Sequence, residues 1–254
     1  MERYPQGRFC WADAGAQNVE GACAFYQALF GWTSDERKTP MGSYVVQLQD
    51  GKPCAALHGV PPHISQPQWL CYVAVDDARA ATQRAESLGA QILMPVYDAN
   101  GQGLMSVIND PGGATLALWQ ATGMPGTEVE SGPGSLAWVE LRSRAAEACR
   151  KFYEALFGWS FEKVQVAPGF DYFYFSSDGA RRGGMFQMGP EFPEGLPSLW
   201  TPYFGHRDAD EAARIALERG GRVPVPPREI PGANARFAVL HDPEMTTFAV
   251  LTRR

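Results

Sequence analysis

Phe25-Tyr26-Gln27-Ala28-Leu29-Phe30-Gly31-Trp32 returns later in the chain as Phe152-Tyr153-Glu154-Ala155-Leu156-Phe157-Gly158-Trp159, an offset of 152 − 25 = 127 positions. A repeat at that spacing makes the chain a duplication, so each copy has to fold on the same plan. In the first copy Ala22, Phe25, Tyr26 and Leu29 share one helical face and Asn18 stands where an N-cap belongs. Glu20 meets the positive end of the helix dipole, and Gly31 ends the helix. In the second copy Cys149, Phe152, Tyr153 and Leu156 form the matching face, Glu147 sits in the first turn, and Ser143 is the expected cap.

Outward from the first helix, Phe9 to Asp13 reads as a strand before it. Three strands follow it: Trp32 to Glu36, Tyr44 to Gln49 and Pro53 to Gly59, with turns at Met41-Gly42 and Asp50-Gly51, the latter a strong hairpin signal. The same order restarts at Trp69 with a helix from about Asp77 to Leu88, and the second half repeats the whole pattern. Trp69 and Trp200 match at an offset of 131, and Asp110-Pro111 and Asp242-Pro243 at 132. The fold class expected is α+β: four βαβββ modules in two tandem domains, residues 1–122 and 135–254, joined by a Gly- and Pro-rich linker over 123–134.

Composition narrows the function. The 254 residues are 45% hydrophobic and 20% charged, which is ordinary for a folded globular chain, and the net charge of −6 argues against a nucleic-acid partner. Five cysteines without CxxC spacing argue against a disulfide framework or a cysteine-rich zinc site. No signal-peptide core and no membrane-length apolar run is visible, so a cytoplasmic protein without membrane partners is expected, either monomer or homodimer.

The four modules, the helices ending in Phe-Tyr-x-x-Leu-Phe-Gly-Trp, and the Asp-Pro turn before each half's last strand together resemble the vicinal oxygen chelate superfamily. That superfamily includes glyoxalase I, bleomycin-resistance proteins and extradiol dioxygenases. The tandem form is most similar to glyoxalase-like proteins, and the resemblance covers nearly the whole chain outside the linker. It implies sheets curled into cups, with a divalent metal held by a His or Gln on a module's first strand and a Glu on its last. Mapped by motif, the first-strand positions fall on Trp11, Leu70, Trp138 and Thr201, and the last-strand positions on Ala117 and Ala249. None is an ordinary ligand, and a divalent ion needs about three oxygen or nitrogen donors. The expectation is therefore no metal site and no cofactor, which puts chemistry that polarises a substrate oxygen on a metal in doubt.

If Trp11 and Trp138 occupy ligand positions, period-two alternation turns Phe9 and Asp13, and Leu136, Glu140 and Arg142, to the same face. An indole two residues from a carboxylate suits an aromatic or cationic ligand, through stacking and cation–π attraction of about 0.5 to 2 kcal/mol. The competing reading makes Trp11 and Trp138 core plugs, with Asp13 and Glu140 hydrogen-bonded or paired with Arg142. Tyr72 and Tyr203 face inward by the same mapping, while Trp69 and Trp200 pack under helices. The ligand-binding set is thus Trp11, Asp13, Tyr72, Trp138, Glu140, Arg142 and Tyr203. Arg181-Arg182 reads as a solvated turn, and His206 and His241 as solvated or hydrogen-bonded. The function expected is metal-independent binding of a small molecule. The alternatives are a glyoxalase-like lyase or dioxygenase with a non-standard metal site, or a metal-free enzyme with Glu140 or Asp13 as general base.

Overall fold

The computed structural model describes residues 3–39, 42–63, 67–167 and 170–253. Four βαβββ modules follow one another. The first is β1 (Phe9–Ala16), α1 (Val19–Phe30), β2 (Thr33–Thr39), β3 (Gly42–Gln49) and β4 (Lys52–Gly59); the second is β5 (Trp69–Ala74), α2 (Ala78–Ser87), β6 (Gln91–Asp98), β7 (Gly103–Asn109) and β8 (Thr115–Ala121). The third is β9 (Leu136–Ser143), α3 (Ala146–Phe157), β10 (Ser160–Ala167), β11 (Phe170–Ser177) and β12 (Ala180–Gln187). The fourth is β13 (Leu199–Gly205), α4 (Ala209–Glu218), β14 (Arg222–Glu229), β15 (Ala235–His241) and β16 (Thr247–Arg253).

Each half builds one curled eight-stranded mixed sheet, in the order β2-β3-β4-β1-β5-β8-β7-β6 and β10-β11-β12-β9-β13-β16-β15-β14. Within a module the first strand runs parallel to the last and the other pairs are antiparallel. The hairpins close as their residues dictate: Asp50 and Gly51 have φ of 52° and 78°, Asp178 and Gly179 of 53° and 72°, the two left-handed positions of a type I′ turn. Of the expected Met41-Gly42 turn, Met41 lies outside the described residues.

Asn18 caps α1, its side chain accepting from the Gly21 N–H. Ser143 does not cap α3. The N-cap is Ala145, because Ser143 still belongs to β9; its Oγ accepts from the Ala145 N–H, and the Ala146 N–H is taken by the Gln187 side chain. Arg181 and Arg182 also depart from expectation: they lie on β12, and the turn before them is Asp178-Gly179.

Packing groups the modules differently from the sheets. One compact unit comprises Met1–Cys10, Leu70–Gly126 and Val139–Trp200, the modules around α2 and α3; the other comprises Trp11–Trp69, Thr127–Trp138 and Thr201–Arg254, those around α1 and α4. In the second unit the Tyr26 hydroxyl donates to Asp242 Oδ2 at 3.0 Å and accepts from Trp69 Nε1 at 3.0 Å. In the first the Tyr153 hydroxyl donates to Asp110 Oδ2 at 2.8 Å and accepts from Trp200 Nε1 at 2.8 Å. The other oxygen of each aspartate holds its own turn, Asp110 through the N–H groups of Gly112 and Ala114 and Asp242 through those of Glu244 and Thr246. Thus the repeated tyrosine ties a helix to the Asp-Pro turn of a module in the other half of the sequence.

Candidate functional site

In β9 the side chains of Val139, Leu141 and Ser143 are buried, and Ser143 Oγ lies 3.4 Å from Cys149 Sγ on α3, which fixes that set as the helix side. Glu140 and Arg142, both half-buried, therefore stand on the opposite face. Register extends each into a row. Glu140 is opposite Gly184, Gly184 opposite Tyr174, and Tyr174 opposite Glu162; Arg142 leads in the same way to Phe186, Tyr172 and Val164. The Tyr172 hydroxyl crosses diagonally from one row to the other and donates to Glu140 Oε2 at 2.8 Å. In this half Gly184 leaves the ring the space it occupies, since a Cβ on residue 184 would lie 1.8 Å from the Tyr172 oxygen.

Aromatic rings cover this face. Tyr172 meets Tyr174 at 5.1 Å between centroids, Phe170 meets Phe186 at 5.3 Å, and Phe186 meets Phe192 at 5.6 Å. The Arg181 guanidinium lies 4.3 Å above the Tyr174 ring while pairing with Glu162 at 2.6 Å. Arg142 donates from Nε to the Pro197 carbonyl at 3.2 Å; burial pushes its pKa down, and the nearby charge of Glu140 works against that.

The first module repeats the constellation with other chemistry. Ala12, Ala14 and Ala16 pack into the core beneath α1, so Trp11 and Asp13 take the opposite face. The Tyr44 hydroxyl donates to Asp13 Oδ2 at 3.0 Å and accepts from Trp11 Nε1 at 2.8 Å. It again crosses diagonally, over Ala56, which is opposite Asp13. His58 stacks on Tyr44 at 6.3 Å, its Nε2 3.9 Å from Asp13 Oδ1. Trp11 is 0% and Asp13 2% exposed, while Tyr44 and His58 beside them are half-buried, as Glu140 is in the counterpart.

Trp138 packs with Tyr203 and Phe237 in a small cluster on Ala249 and Leu251. Tyr72 is buried against Trp119 at 6.0 Å, its carbonyl accepting from the Cys10 thiol. Phe9 and Leu136, expected beside Trp11 and Trp138, instead enter the two cores. Phe9 lies 5.0 Å from Trp200 and 5.7 Å from Trp159, and Leu136 packs on the core that contains Trp32 and Phe204. The cause is that β1 and β9 each begin in one packing unit and continue in the other. Sequence reasoning passed over Tyr44 and Tyr172, although their offset of 172 − 44 = 128 marks them as equivalent positions.

A protein of Mycobacterium tuberculosis that carries a provisional glyoxylase name is 36% identical over 253 residues, 98% of this chain and 95% of that one. A sequence model of the glyoxalase/bleomycin resistance protein/dioxygenase superfamily matches residues 10–118. The chain belongs to that superfamily. An anthracycline biosynthesis protein of Streptomyces peucetius is 33% identical over 269 aligned positions, covering 100% of this chain and 96% of its own. Among solved structures, the Mn(II)-bound glyoxalase of Novosphingobium aromaticivorans shares the fold at a TM-score of 0.70 and 14% identity, over 97% of this chain and 82% of its own. The 2,3-dioxygenase LapB of Pseudomonas sp. KL28 does so at 0.67 and 15%, over 97% and 93%.

Among the described residues the Mn(II) of the Novosphingobium glyoxalase finds no matching donor set. Trp11 spends its one polar atom on Tyr44, and Ala117 and Ala249, opposite Tyr72 and Tyr203, have none. Among the described residues no three His, Cys, Asp or Glu side chains converge where an ion could be held. Asp13 and His58 are two donors at most, and a divalent site needs about three. Nor is any helix among the described residues long and apolar enough to cross a membrane.

Proposed function

We propose that this superfamily member binds a small aromatic or cationic molecule without a metal of its own, on the second half's sheet face built around Glu140 and Tyr172. The observation that carries the reading is the pair of rows crossing β9, β12 and β11. A carboxylate held by a tyrosine hydroxyl stands there among half-buried rings, the mostly aromatic lining with few placed polar groups that small-molecule sites use. The full-length similarity to an anthracycline biosynthesis protein supports it, because an anthracycline is a fused aromatic system.

The experiment is a titration of tryptophan fluorescence with an anthracycline in the presence of a chelator. Saturable quenching is expected, with affinity reduced about tenfold in Tyr174→Ala, in line with the loss of an aromatic contact. Unchanged affinity in that variant removes Tyr174 from the site, and absence of saturable quenching removes the reading. A second reading, a glyoxalase-like lyase or dioxygenase with a non-standard metal site, draws on the approach of His58 to Asp13. Stoichiometric metal surviving dialysis would favour it.

A further inference from the structure

Arg142 is held in an unusual way for a cation on a sheet face. Its Nε is committed to the Pro197 carbonyl. The segment carrying that carbonyl is itself tied to β9, since Arg144 donates to the carbonyls of Phe192 and Pro193, and Ser198 Oγ lies 3.5 Å from Ser143 Oγ. The guanidinium plane is thereby oriented before any ligand arrives, with its two terminal nitrogens left over. Among the described residues no carboxylate comes within ion-pair distance of it. Phe186, directly across the register from Arg142, and Tyr172, next in the row, place ring faces along the same line. Glu140, two positions back on the strand, lies roughly 7 Å away by strand geometry. The face therefore offers a fixed double donor and an acceptor side by side on β9, with rings running away from them across the sheet. The first half has no such pairing, because Gly15 occupies the position of Arg142, opposite His58.

We infer that the ligand of this face is a hydroxylated planar aromatic carrying a carboxylate or ketone oxygen, with that oxygen on the Arg142 terminal nitrogens and the hydroxyl donating to Glu140. The inference rests on the binding reading above and specifies it. Guanidinium suits this role because it stays charged and presents paired donors to a flat acceptor. The rings of Phe186 and Tyr172 supply area without further polar demand.

The test uses the full chain, chelator-treated, and calorimetry with four naphthalene probes: 6-hydroxy-2-naphthoate, 2-naphthoate, 2-naphthol and 2-naphthylmethylammonium. The hydroxy acid is expected to bind tightest. Arg142→Met should weaken it and 2-naphthoate by roughly ten- to a hundredfold while leaving 2-naphthol and the ammonium within about twofold, as expected for loss of a charge-assisted bond. Arg142→Lys, which keeps the charge and loses the fork, should fall between, and circular dichroism checks that both variants fold. Tightest binding of the ammonium probe overturns this inference and leaves the binding reading standing, as does an Arg142→Met variant that holds the hydroxy acid normally. Failure of all four probes to bind overturns both.

Discussion

At residue 184 the absence of a side chain is what shapes the candidate site. Glycine there lets the Tyr172 ring lie across the strand and reach Glu140, and the residue's backbone needs no left-handed conformation, so the requirement is one of space alone. Gly184→Ala should therefore lower stability by about 1–3 kcal/mol through overpacking and displace the Tyr172 hydroxyl. Tyr172→Phe, which removes the bond and keeps the ring, should cost less, about 1 kcal/mol. Urea unfolding of both variants distinguishes space from hydrogen bonding; equal losses would mean that the hydroxyl rather than the crowding dominates. The Tyr172–Glu140 pair was within reach of the sequence, since Phe170, Tyr172 and Tyr174 alternate on one strand and Tyr172 sits 128 positions after Tyr44. What no alternation supplies is the diagonal, which depends on the register that sets Gly184 between them.

At the scale of elements, α1 and α3 are each tied to a distant turn by one hydroxyl. Tyr26 and Tyr153 each serve an indole N–H and a buried aspartate at once, so Tyr26→Phe or Tyr153→Phe strands two polar groups and should cost about 1–3 kcal/mol per variant in denaturant unfolding. A loss within 0.5 kcal/mol of zero, the usual size of a surface change, would contradict that role. Burial raises the Asp110 and Asp242 carboxyls above the usual range, even though tyrosine and backbone donors pull them down. A carboxyl raised in the folded state binds protons more tightly there than in the unfolded chain. This contribution to stability is present at acid pH and lost as pH rises from about 4 through the raised folded value. Replacing both by Asn should flatten that limb of the stability curve in unfolding measurements across pH; an unchanged or steeper limb would count against it. The order of helices and strands was legible because each element carries its own period and punctuation, Asn18, Gly31 and Asp50-Gly51 among them. The Ser143 cap was not, because strand pairing with β12 holds that residue in the sheet, an effect from far along the chain.

Across the whole chain, the duplication is complete in fold and unequal in chemistry. Both sheets carry a carboxylate bound by a tyrosine at equivalent positions, yet Asp13 and Trp11 are buried and Glu140 and Arg142 are half-buried. The motif that reveals the duplication belongs to the packing, where its tyrosine joins modules distant in sequence, and sequence repeats cannot say which module's turn a helix will meet. That Trp11 and Trp138 each stand two residues before a carboxylate was readable as letters; the tyrosines that serve those carboxylates emerged only with the register. On the function proposed above, the Glu140 face takes an aromatic ligand with no help from a metal. Calorimetric titration of the chelator-treated chain with an anthracycline tests it most directly. The prediction is saturable binding that is unaltered when Mn(II) or Fe(II) is added back and weakened at least about tenfold by Glu140→Gln. Binding that appears only with metal restored, or that ignores the substitution, would contradict it.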